Sequence, residues 1–384
     1  MKLKCYAWHR FVYRFLRYTI GPLVKLFMGY RCEKQKGPEK PSLIVSNHNT
    51  DLDPALVGLS FTRHIYYLSS EHALRAGFPS KILRFLFAPV AINKAKPDVL
   101  AIKDMIRRLK AGANVCLFAE GDRSFNGVTA PIVLSTAKLA KTSGADLITF
   151  RLEGAYFVTP RWSKSKRKGR IKGMVVNTYT AEQLKSMSAE EVLGVIERDL
   201  YEDAYERQKK QLCHYSGKRL AESIETVLYL CPCCEKVGTI KSKDDRFYCE
   251  CGLTGVYRDT GFLEGDSLPF TTIIDWDRWQ REQLVRIVRT AGYEPICSDE
   301  NQQLFEVQAA VGKRLVGEGA MHIGRAMFQC AGMHFTLDSI ERFAVVGQMV
   351  LLFALKDGSS YEVRSSHPRS ALKYREIFRV LSGE

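Results

Sequence analysis

The stretch Ser46-Asn47-His48-Asn49-Thr50-Asp51-Leu52-Asp53-Pro54 decides how the first half of the chain folds. It follows the apolar run Leu43-Ile44-Val45, which predicts a buried strand, and a helix is expected to begin within it. His48 therefore lies at the exposed end of a strand, and Asp53 lies in the first turns of the next helix. A carboxylate there can fold back toward the imidazole. An imidazole held in this way can take a proton from a hydroxyl and activate it as a nucleophile.

The same residues have a second interpretation as a helix start. Thr50-x-x-Asp53 has the form of an N-terminal capping box, with Asp in the weaker position. Such patterns arise often by chance, so the stretch taken alone favours the cap over a catalytic pair.

A second motif changes this balance. The apolar strand Val115-Cys116-Leu117-Phe118 leads into Ala119-Glu120-Gly121-Asp122-Arg123-Ser124. An Asn-His-x4-Asp motif followed by Phe-x-Glu-Gly-x-Arg-Ser, each after a strand, resembles the glycerolipid acyltransferases, the 1-acylglycerol-3-phosphate acyltransferase family. The resemblance covers roughly residues 1 to 210 and implies an acyltransferase domain at 31–215. Because predicted strands alternate with helices there, we expect an α/β fold with three layers.

The resemblance implies roles for both motifs. His48 would deprotonate an acceptor hydroxyl and Asp53 would fix its tautomer. Glu120 would help to position the acceptor, and Gly121 permits a tight turn close to a ligand. The substrate-binding residues expected from the resemblance are Asn47, Lys94, Glu120, Gly121, Arg123 and Ser124.

Arg123 offers a planar set of donors that matches a phosphate, and the resemblance implies that it binds the phosphate of the acceptor. The alternative is an ion pair with Glu120 or Asp122. Lys94 stands where the family has an arginine, so it keeps the charge but loses the bidentate fork.

Three positions depart from the family pattern. Ala119 and Asp122 replace the usual Pro and Thr of the second motif, and Phe150 stands where the family usually has a proline. These changes leave the acceptor open between lysophosphatidate, the family default, and another lipid or alcohol. The acyl donor stays open between acyl-CoA and acyl carrier protein.

The N-terminal residues 1–30 predict amphipathic helices that contact a membrane. Arg10, Arg14 and Arg17 share one face of a helical wheel, opposite a face that is aromatic and apolar. This layout is typical of a helix that lies in an anionic headgroup region. The alternative is a helix that packs on its own domain. The basic run from Arg161 to Lys172 likewise predicts contact with anionic lipid, and the alternative is a solvated loop.

Composition and charge limit the class of protein. A net charge of +15 implies an anionic partner, and eleven cysteines, an odd number, argue for a reducing compartment rather than a disulfide framework. No secretory signal and no uncharged run of membrane-spanning length is visible. We therefore expect a cytoplasmic protein, peripheral on the inner face of the cell membrane, with no transmembrane helix.

The middle of the chain predicts a metal site. Cys231-Pro232-Cys233-Cys234 and Cys249-Glu250-Cys251-Gly252 flank a short polar hairpin. Two close cysteine pairs in a chain without a disulfide framework predict a structural zinc ion bound by Cys231, Cys234, Cys249 and Cys251. The alternatives are free thiols or a redox pair. This segment, at 225–260, resembles a zinc ribbon. Cys233 is an alternative ligand to Cys234, and we expect no cofactor for catalysis.

Residues 261–384 predict a β-rich domain. A helix over Asp275 to Ala291 precedes a series of short strands with hairpin turns at Gly347-Gln348 and Asp357-Gly358, and Ser370 to Leu381 predicts a closing helix. Antiparallel strands followed by one C-terminal helix resemble a pleckstrin-homology-like domain.

Together these patterns predict an acyltransferase that moves a fatty acyl group from a thioester to a glycerol hydroxyl of a lysophospholipid. The rival class is a non-enzymatic, basic zinc-ribbon protein that binds membrane or nucleic acid. Nucleic acid is the less favoured partner, because the ribbon carries Glu235, Asp244, Asp245 and Glu250 and is not notably basic.

Overall fold

The computed structural model describes residues 3, 6–33, 40–70, 78–92, 99–308 and 312–383. The chain forms two compact units. The first comprises Met1–Pro160 and Arg167–Tyr215, and the second comprises Arg161–Lys166 and Ser216–Glu384.

The first unit alternates helices with strands, as the sequence predicts. Its helices are α1 Tyr6–Thr19, α2 Gly21–Phe27, α3 Asp53–Ser60, α4 Phe78–Phe87, α5 Val99–Lys110, α6 Leu134–Ser143, α7 Ala155–Val158, α8 Ala181–Ser186, α9 Ala189–Leu200 and α10 Ala204–Lys210. Its strands are β1 Tyr30–Cys32, β2 Ser42–Ser46, β3 Ile65–Ser70, β4 Val90–Ile92, β5 Asn114–Phe118, β6 Asp146–Glu153 and β7 Ile171–Tyr179.

These strands form one sheet in the order β1-β7-β6-β2-β5-β3-β4. All described pairs are parallel except β6 with β7, which is antiparallel. Strands β2 and β5 lie next to each other and point the same way, so the two sequence motifs that follow them meet at one edge of the sheet. The sequence pattern does not predict that β7 runs antiparallel to β6.

Helices cover both faces of this sheet, which confirms the α/β fold. Leu43 and Val45 of β2 pack in a buried cluster with residues of α5, α6 and α9. Ile44 points to the opposite face and is also fully buried. On that face Phe150 of β6 packs against Phe61, which follows α3, with ring centroids 5.5 Å apart. A parallel sheet that is apolar on both faces is expected of such a fold.

Helix α1 packs one face on its own unit and leaves the other exposed. His9 and Val12 are buried, whereas Phe11 and Phe15 are exposed. Arg17, which the helical wheel places on the phosphate-facing side, donates instead to the Gly58 and Phe61 carbonyls at the end of α3. A cation at a helix C-terminus satisfies carbonyls that lack helical partners. No helix in the described ranges combines the length and apolar character needed to span a bilayer.

The second unit contains two antiparallel sheets. The first has the strand order β11-β10-β9-β8, formed by β8 Ile240–Lys243, β9 Arg246–Cys249, β10 Thr254–Tyr257 and β11 Leu263–Glu264. Helix α11, Ile273–Thr290, packs beside it. Trp276 of α11 is fully buried, donates from Nε1 to the Leu230 carbonyl at 2.9 Å and contacts Phe247 of β9.

The second antiparallel sheet has seven strands in the order β15-β14-β13-β12-β18-β17-β16. Its strands are β12 Cys297–Gln308, β13 Gly312–Ile323, β14 Met327–Cys330, β15 Met333–Thr336, β16 Ile340–Val346, β17 Val350–Leu355 and β18 Ser360–Ser365. Helix α12, Ala371–Ser382, follows, and its Phe378 packs on Phe343 of β16. The β-rich character is as predicted, and the relation to pleckstrin-homology domains stays a prediction.

Candidate active site

The structure brings His48 and Asp53 into direct contact. His48 Nδ1 lies 2.8 Å from Asp53 Oδ2. The Asp53 side chain is fully buried, whereas 21% of the His48 side chain is exposed. Since a carboxylate only accepts hydrogen bonds, Nδ1 carries the proton and Nε2 is left as the basic nitrogen. The imidazole is thus fixed in the tautomer that general-base catalysis requires.

The Asp53 carboxylate also organises the loop that carries His48. Its Oδ2 accepts from the backbone N–H groups of Asn49 at 2.6 Å and Thr50 at 2.9 Å, and its Oδ1 accepts from the Thr50 hydroxyl at 2.7 Å. Asp53 is the first residue of α3, so a turn and not the helix interior supplies these donors. The N-cap of α3 is Leu52, which makes no side-chain cap hydrogen bond, so the capping-box interpretation with Thr50 as N-cap is wrong. Asp53 instead holds the histidine and the loop before the helix.

A ring stack limits the remaining freedom of the imidazole. The His48 ring lies on the Phe118 ring, with centroids 4.3 Å apart and an interplanar angle of 21°. Phe118 is the last residue of β5, so its position is fixed by the sheet. Its contribution was missed from the sequence, although Phe118 belongs to the motif that carried the resemblance.

Glu120 joins the two motif loops. Its Oε1 accepts from the His48 N–H at 2.6 Å, and its Oε2 accepts from the Ala130 N–H at 2.7 Å. Burial raises the pKa of the Glu120 carboxyl to about 8 against the opposing effect of these two donors, and the charges of Asp53 and Asp122 raise it further. Glu120 thus ties the loop that carries His48 to the loop of the second motif.

The backbone carbonyl of His48 is held by the same motif. It accepts from the Ser124 N–H at 3.0 Å. The Ser124 hydroxyl donates to the Val128 carbonyl at 2.8 Å and accepts from the Gly127 N–H at 2.9 Å, and the side chain is buried. Both backbone groups of His48 are therefore bonded to the second motif. Ser124 therefore supports the backbone that carries His48.

Asn47 fixes the loop to the neighbouring strand. Its side-chain amide donates to the Leu152 carbonyl at 2.9 Å and accepts from the Leu152 N–H at 2.8 Å. Only 1% of its surface is exposed. This pair of hydrogen bonds continues the ladder of β2 and β6 by one residue beyond the end of β2. Asn47 thus sets where His48 leaves the sheet.

Arg123 lies beside the dyad loop. Its Nη1 is 3.1 Å from Asp51 Oδ2, and its side chain is 12% exposed while that of Asp51 is 84% exposed. The Arg123 N–H donates to Asp122 Oδ1 at 3.1 Å. Gly121 adopts a φ of +67°, and the space where a Cβ would lie is open. The guanidinium thus lies against Asp51 of the dyad loop, an acidic neighbour that the sequence pattern does not single out. Lys94 lies outside the described residues.

A second cluster of functional side chains lies in the second unit. The thiols of Cys231, Cys234, Cys249 and Cys251 all lie within 4.8 Å of one another. Two of their sulfur–sulfur distances are 3.6 Å and 3.8 Å. Four sulfurs bound tetrahedrally to zinc at about 2.3 Å lie about 3.8 Å apart, so the donor set fits zinc.

The turns that present these thiols direct backbone N–H groups at two of the sulfur atoms. Backbone N–H groups of Cys233 and Cys234 point at the Cys231 thiol, and that of Cys251 points at the Cys249 thiol. Glu235 and Gly252 close the two turns with φ values of +53° and +98°. Cys233 is exposed and lies outside the four-thiol group, so the geometry favours Cys234 over Cys233.

The class of the first unit follows from its fold, its dyad and its sequence. Residues 30–153 match the family model described as Acyltransferase. This part of the chain, which holds both motifs, is therefore an acyltransferase-family domain.

The solved structures include one that is similar to part of the chain. It is the 1-acyl-sn-glycerophosphate (LPA) acyltransferase PlsC from Thermotoga maritima, with 17% sequence identity and a TM-score of 0.43. The similarity covers 53% of this chain and 82% of that chain. None of the curated proteins compared with the chain matches it.

Proposed function

We propose that the protein is an O-acyltransferase that moves a fatty acyl group from a thioester to a free hydroxyl of a lysophospholipid. The observation that carries this proposal is the fixed dyad, in which Asp53 orients His48 at the edge of an acyltransferase-family sheet. In the proposed step, His48 Nε2 takes the proton of the acceptor hydroxyl. The oxygen attacks the thioester carbonyl, the C–S bond breaks, and the thiol leaves with a proton returned by the imidazolium.

The polar groups beside the dyad favour an acceptor that carries a phosphate. Arg123 offers a planar guanidinium beside the dyad loop. By the resemblance, Lys94 adds a second cation. The proposed acceptor is accordingly 1-acylglycerol-3-phosphate, with the reaction contributing to phospholipid synthesis.

We also propose that the first unit sits on an anionic membrane surface. Exposed side chains of α1, α2 and α4 include Phe11, Phe15, Leu26, Phe27 and Phe85, and the last is 65% exposed. Helices α1 and α4 contact each other through Trp8 and Phe85, whose rings lie 5.4 Å apart, so their apolar side chains form one surface. Large exposed apolar patches mark interaction sites, and a lysophospholipid reaches its enzyme from a bilayer.

The cysteine cluster is proposed to hold a structural zinc ion. Cys231, Cys234, Cys249 and Cys251 supply four thiolates, which leaves no coordination position for a substrate. The metal would tie the two turns of the ribbon together and would take no part in acyl transfer.

The test is thioester consumption by the purified protein with lysophosphatidate vesicles. His48→Ala and Asp53→Asn are compared with wild type, and circular dichroism checks folding. A general base is worth about 10²–10⁴-fold in rate, so both variants should lose at least two orders of magnitude of acyl transfer. A folded His48→Ala protein that transfers at the wild-type rate would remove His48 from the mechanism.

The same preparation separates the rival class. A non-enzymatic binding protein would show no transfer with any phosphorylated or unphosphorylated acceptor. Its salt-sensitive binding to nucleic acid would survive His48→Ala.

A further inference from the structure

A basic cleft lies at the edge strands of the first unit, apart from the dyad. It has a volume of about 450 Å³ and is lined by Arg31, Cys32, Glu33, Glu153, Arg170, Ile171, Lys172, Arg207, Gln211 and Cys213. Ligand sites in proteins commonly span about 300–1,000 Å³, so the cleft has room for a nucleotide-sized group.

Strand register arranges the charges of this cleft. Lys172 of β7 pairs with Arg31 of β1 on one side and with Glu153 of β6 on the other. Arg170 immediately precedes β7, and Arg207 of α10 completes the cationic wall. Because cross-strand partners share a face of the sheet, the three strands hold their side chains in one row.

Most of the positive charge in the cleft is not neutralised by the protein. Within the described ranges, Arg31, Arg170 and Lys172 have no carboxylate within ion-pair distance. Of the acidic lining residues, Glu153 is paired with Arg151 at 3.1 Å. Arg207 is held by Glu202 at 2.8 Å, which orients its guanidinium. Among the described lining residues, the cleft therefore has several cations and one carboxylate, that of Glu33, without a recorded ion pair. This excess of positive charge suits a ligand with more than one phosphate.

The cleft opens at the same edge of the sheet as the dyad. Asn47, next to His48, bonds both backbone groups of Leu152, and Leu152 is followed by the cleft residue Glu153. A ligand with its phosphates in the cleft and a long flexible arm can therefore reach along the strand ends toward His48.

We propose that this cleft binds the phosphorylated nucleotide end of a coenzyme A thioester, which would make acyl-CoA the acyl donor. This inference rests on the proposed function. Among the reactants of that function, coenzyme A carries a diphosphate and a 3′-phosphate. The lysophospholipid carries a single headgroup phosphate, for which Arg123 is already placed. The arm of an acyl carrier protein carries a single phosphodiester and no nucleotide.

The test measures binding without catalysis. Isothermal titration calorimetry with unacylated coenzyme A is run on the full chain carrying His48→Ala, so no turnover is involved. Two exposed cleft cations are removed in Arg31→Ala/Arg170→Ala. The matched control, Lys185→Ala/Lys210→Ala, removes two exposed cations that lie outside the cleft.

The cleft variant should raise the Kd for coenzyme A by about tenfold or more, because charge-assisted phosphate contacts are lost, while the control stays within about twofold. Adenosine 3′,5′-bisphosphate should compete with coenzyme A, and inorganic phosphate should compete only weakly. Equal Kd values for the two double variants would overturn the proposal. So would inorganic phosphate or phosphatidylglycerol vesicles that compete as well as the bisphosphate, since the cleft would then be a general anion or lipid site.

The experiments distinguish an error in the proposed coenzyme A site from an error in the proposed function. Tight coenzyme A binding that depends on Arg31 and Arg170, in a wild-type protein that transfers no acyl group, would support the cleft and count against the function. Acyl transfer from a thioester with the same KM in wild type and in the cleft variant would support the function and overturn the cleft.

Discussion

Arg123 Nη1 lies 3.1 Å from Asp51 Oδ2, so the cation expected to bind the acceptor phosphate is paired with a carboxylate from the dyad loop. The sequence predicts Glu120 or Asp122 as an ion-pair partner of Arg123, and the partner in this pair is Asp51. Because 84% of the Asp51 side chain is exposed, a phosphate can displace it at small cost. The pair holds the guanidinium in place and also competes with the substrate.

Asp51→Asn should strengthen the binding of phosphorylated acceptors. The amide keeps the size of the side chain and removes the charge that competes for Arg123. Exposed ion pairs are worth about 0.2–1 kcal/mol, so we expect KM for lysophosphatidate to fall by a factor of about 1.5–5 with kcat little changed. The matched control is Glu190→Gln, an exposed carboxylate on α9. An unchanged KM in Asp51→Asn would show that the pair does not compete with substrate.

Asn47→Ala should cost both stability and activity. Two buried backbone groups of Leu152 lose their partner, which is worth about 2–4 kcal/mol of unfolding free energy. Asn114→Ala is the matched control. Its side chain accepts from Ser42 N–H at 3.1 Å and donates to the His64 carbonyl at 3.3 Å, at the opposite end of the sheet. Both variants should melt at a lower temperature.

Only Asn47→Ala should reduce kcat/KM when the two are assayed well below their melting temperatures. Equal activity in the two variants would mean that Asn47 stabilises the sheet without positioning His48.

How much of the structure the sequence predicts depends on how far apart along the chain the interacting residues lie. The dyad and the four thiols were predicted because their partners lie close together in sequence or in a recognised motif. Asn47, Glu120 and Ser124 are predicted to bind the substrate, and the structure adds that their side chains bond backbone groups of Leu152, Ala130 and Val128. A backbone partner leaves no mark on residue identity, so no pattern in the sequence reports it.

The sequence also does not show the environment of each basic side chain. The basic run from Arg161 to Lys172 gave no sign that Arg161 and Arg167 are buried while Arg170 and Lys172 line a cleft. Arg161 donates to the Val345 and Gly347 carbonyls, far away in sequence. The neighbours of Lys172 come from β1 and from β6, and β6 and β7 pair antiparallel in an otherwise parallel sheet, which periodicity cannot show.

Glu120 should make stability depend on pH. Its pKa of about 8 in the folded protein lies above the ordinary 4.5, so the folded state binds this proton more tightly than the unfolded chain. The resulting stabilisation is complete below about pH 4.5 and is lost as the pH rises through 8. Glu120→Gln cannot titrate, so the stability of wild type relative to this variant should fall between pH 5.5 and pH 8.5. Urea unfolding of both proteins at the two pH values measures this difference, and a constant difference would contradict the raised pKa.

The cysteine cluster offers a matched pair of adjacent residues. Cys234→Ser should weaken zinc binding and lower the melting temperature of the second unit, because a thiolate ligand is lost. Cys233→Ser should retain the metal, since that thiol is exposed and outside the cluster. Zinc release to a chromogenic chelator measures the first effect. Fluorescence of the tryptophans, including Trp276 beside the ribbon, reports the second. Release that is accelerated by Cys233→Ser alone would assign Cys233 as the ligand.

Membrane contact through the exposed aromatic residues of α1 predicts that a negative charge placed among them weakens binding to vesicles. Phe15 and Tyr201 are each 56% exposed, but Phe15 lies on the apolar face of α1 and Tyr201 lies at the end of α9. Burying a phenylalanine side chain is worth about 1.5–3 kcal/mol, so Phe15→Asp should lower the partition coefficient onto phosphatidylglycerol vesicles by about tenfold or more. Tyr201→Asp adds the same charge and should change it by no more than about fivefold, since one charge near an anionic membrane is worth about 1 kcal/mol. Vesicle sedimentation measures both. Equal losses would mean that net charge, and not this face of α1, governs attachment.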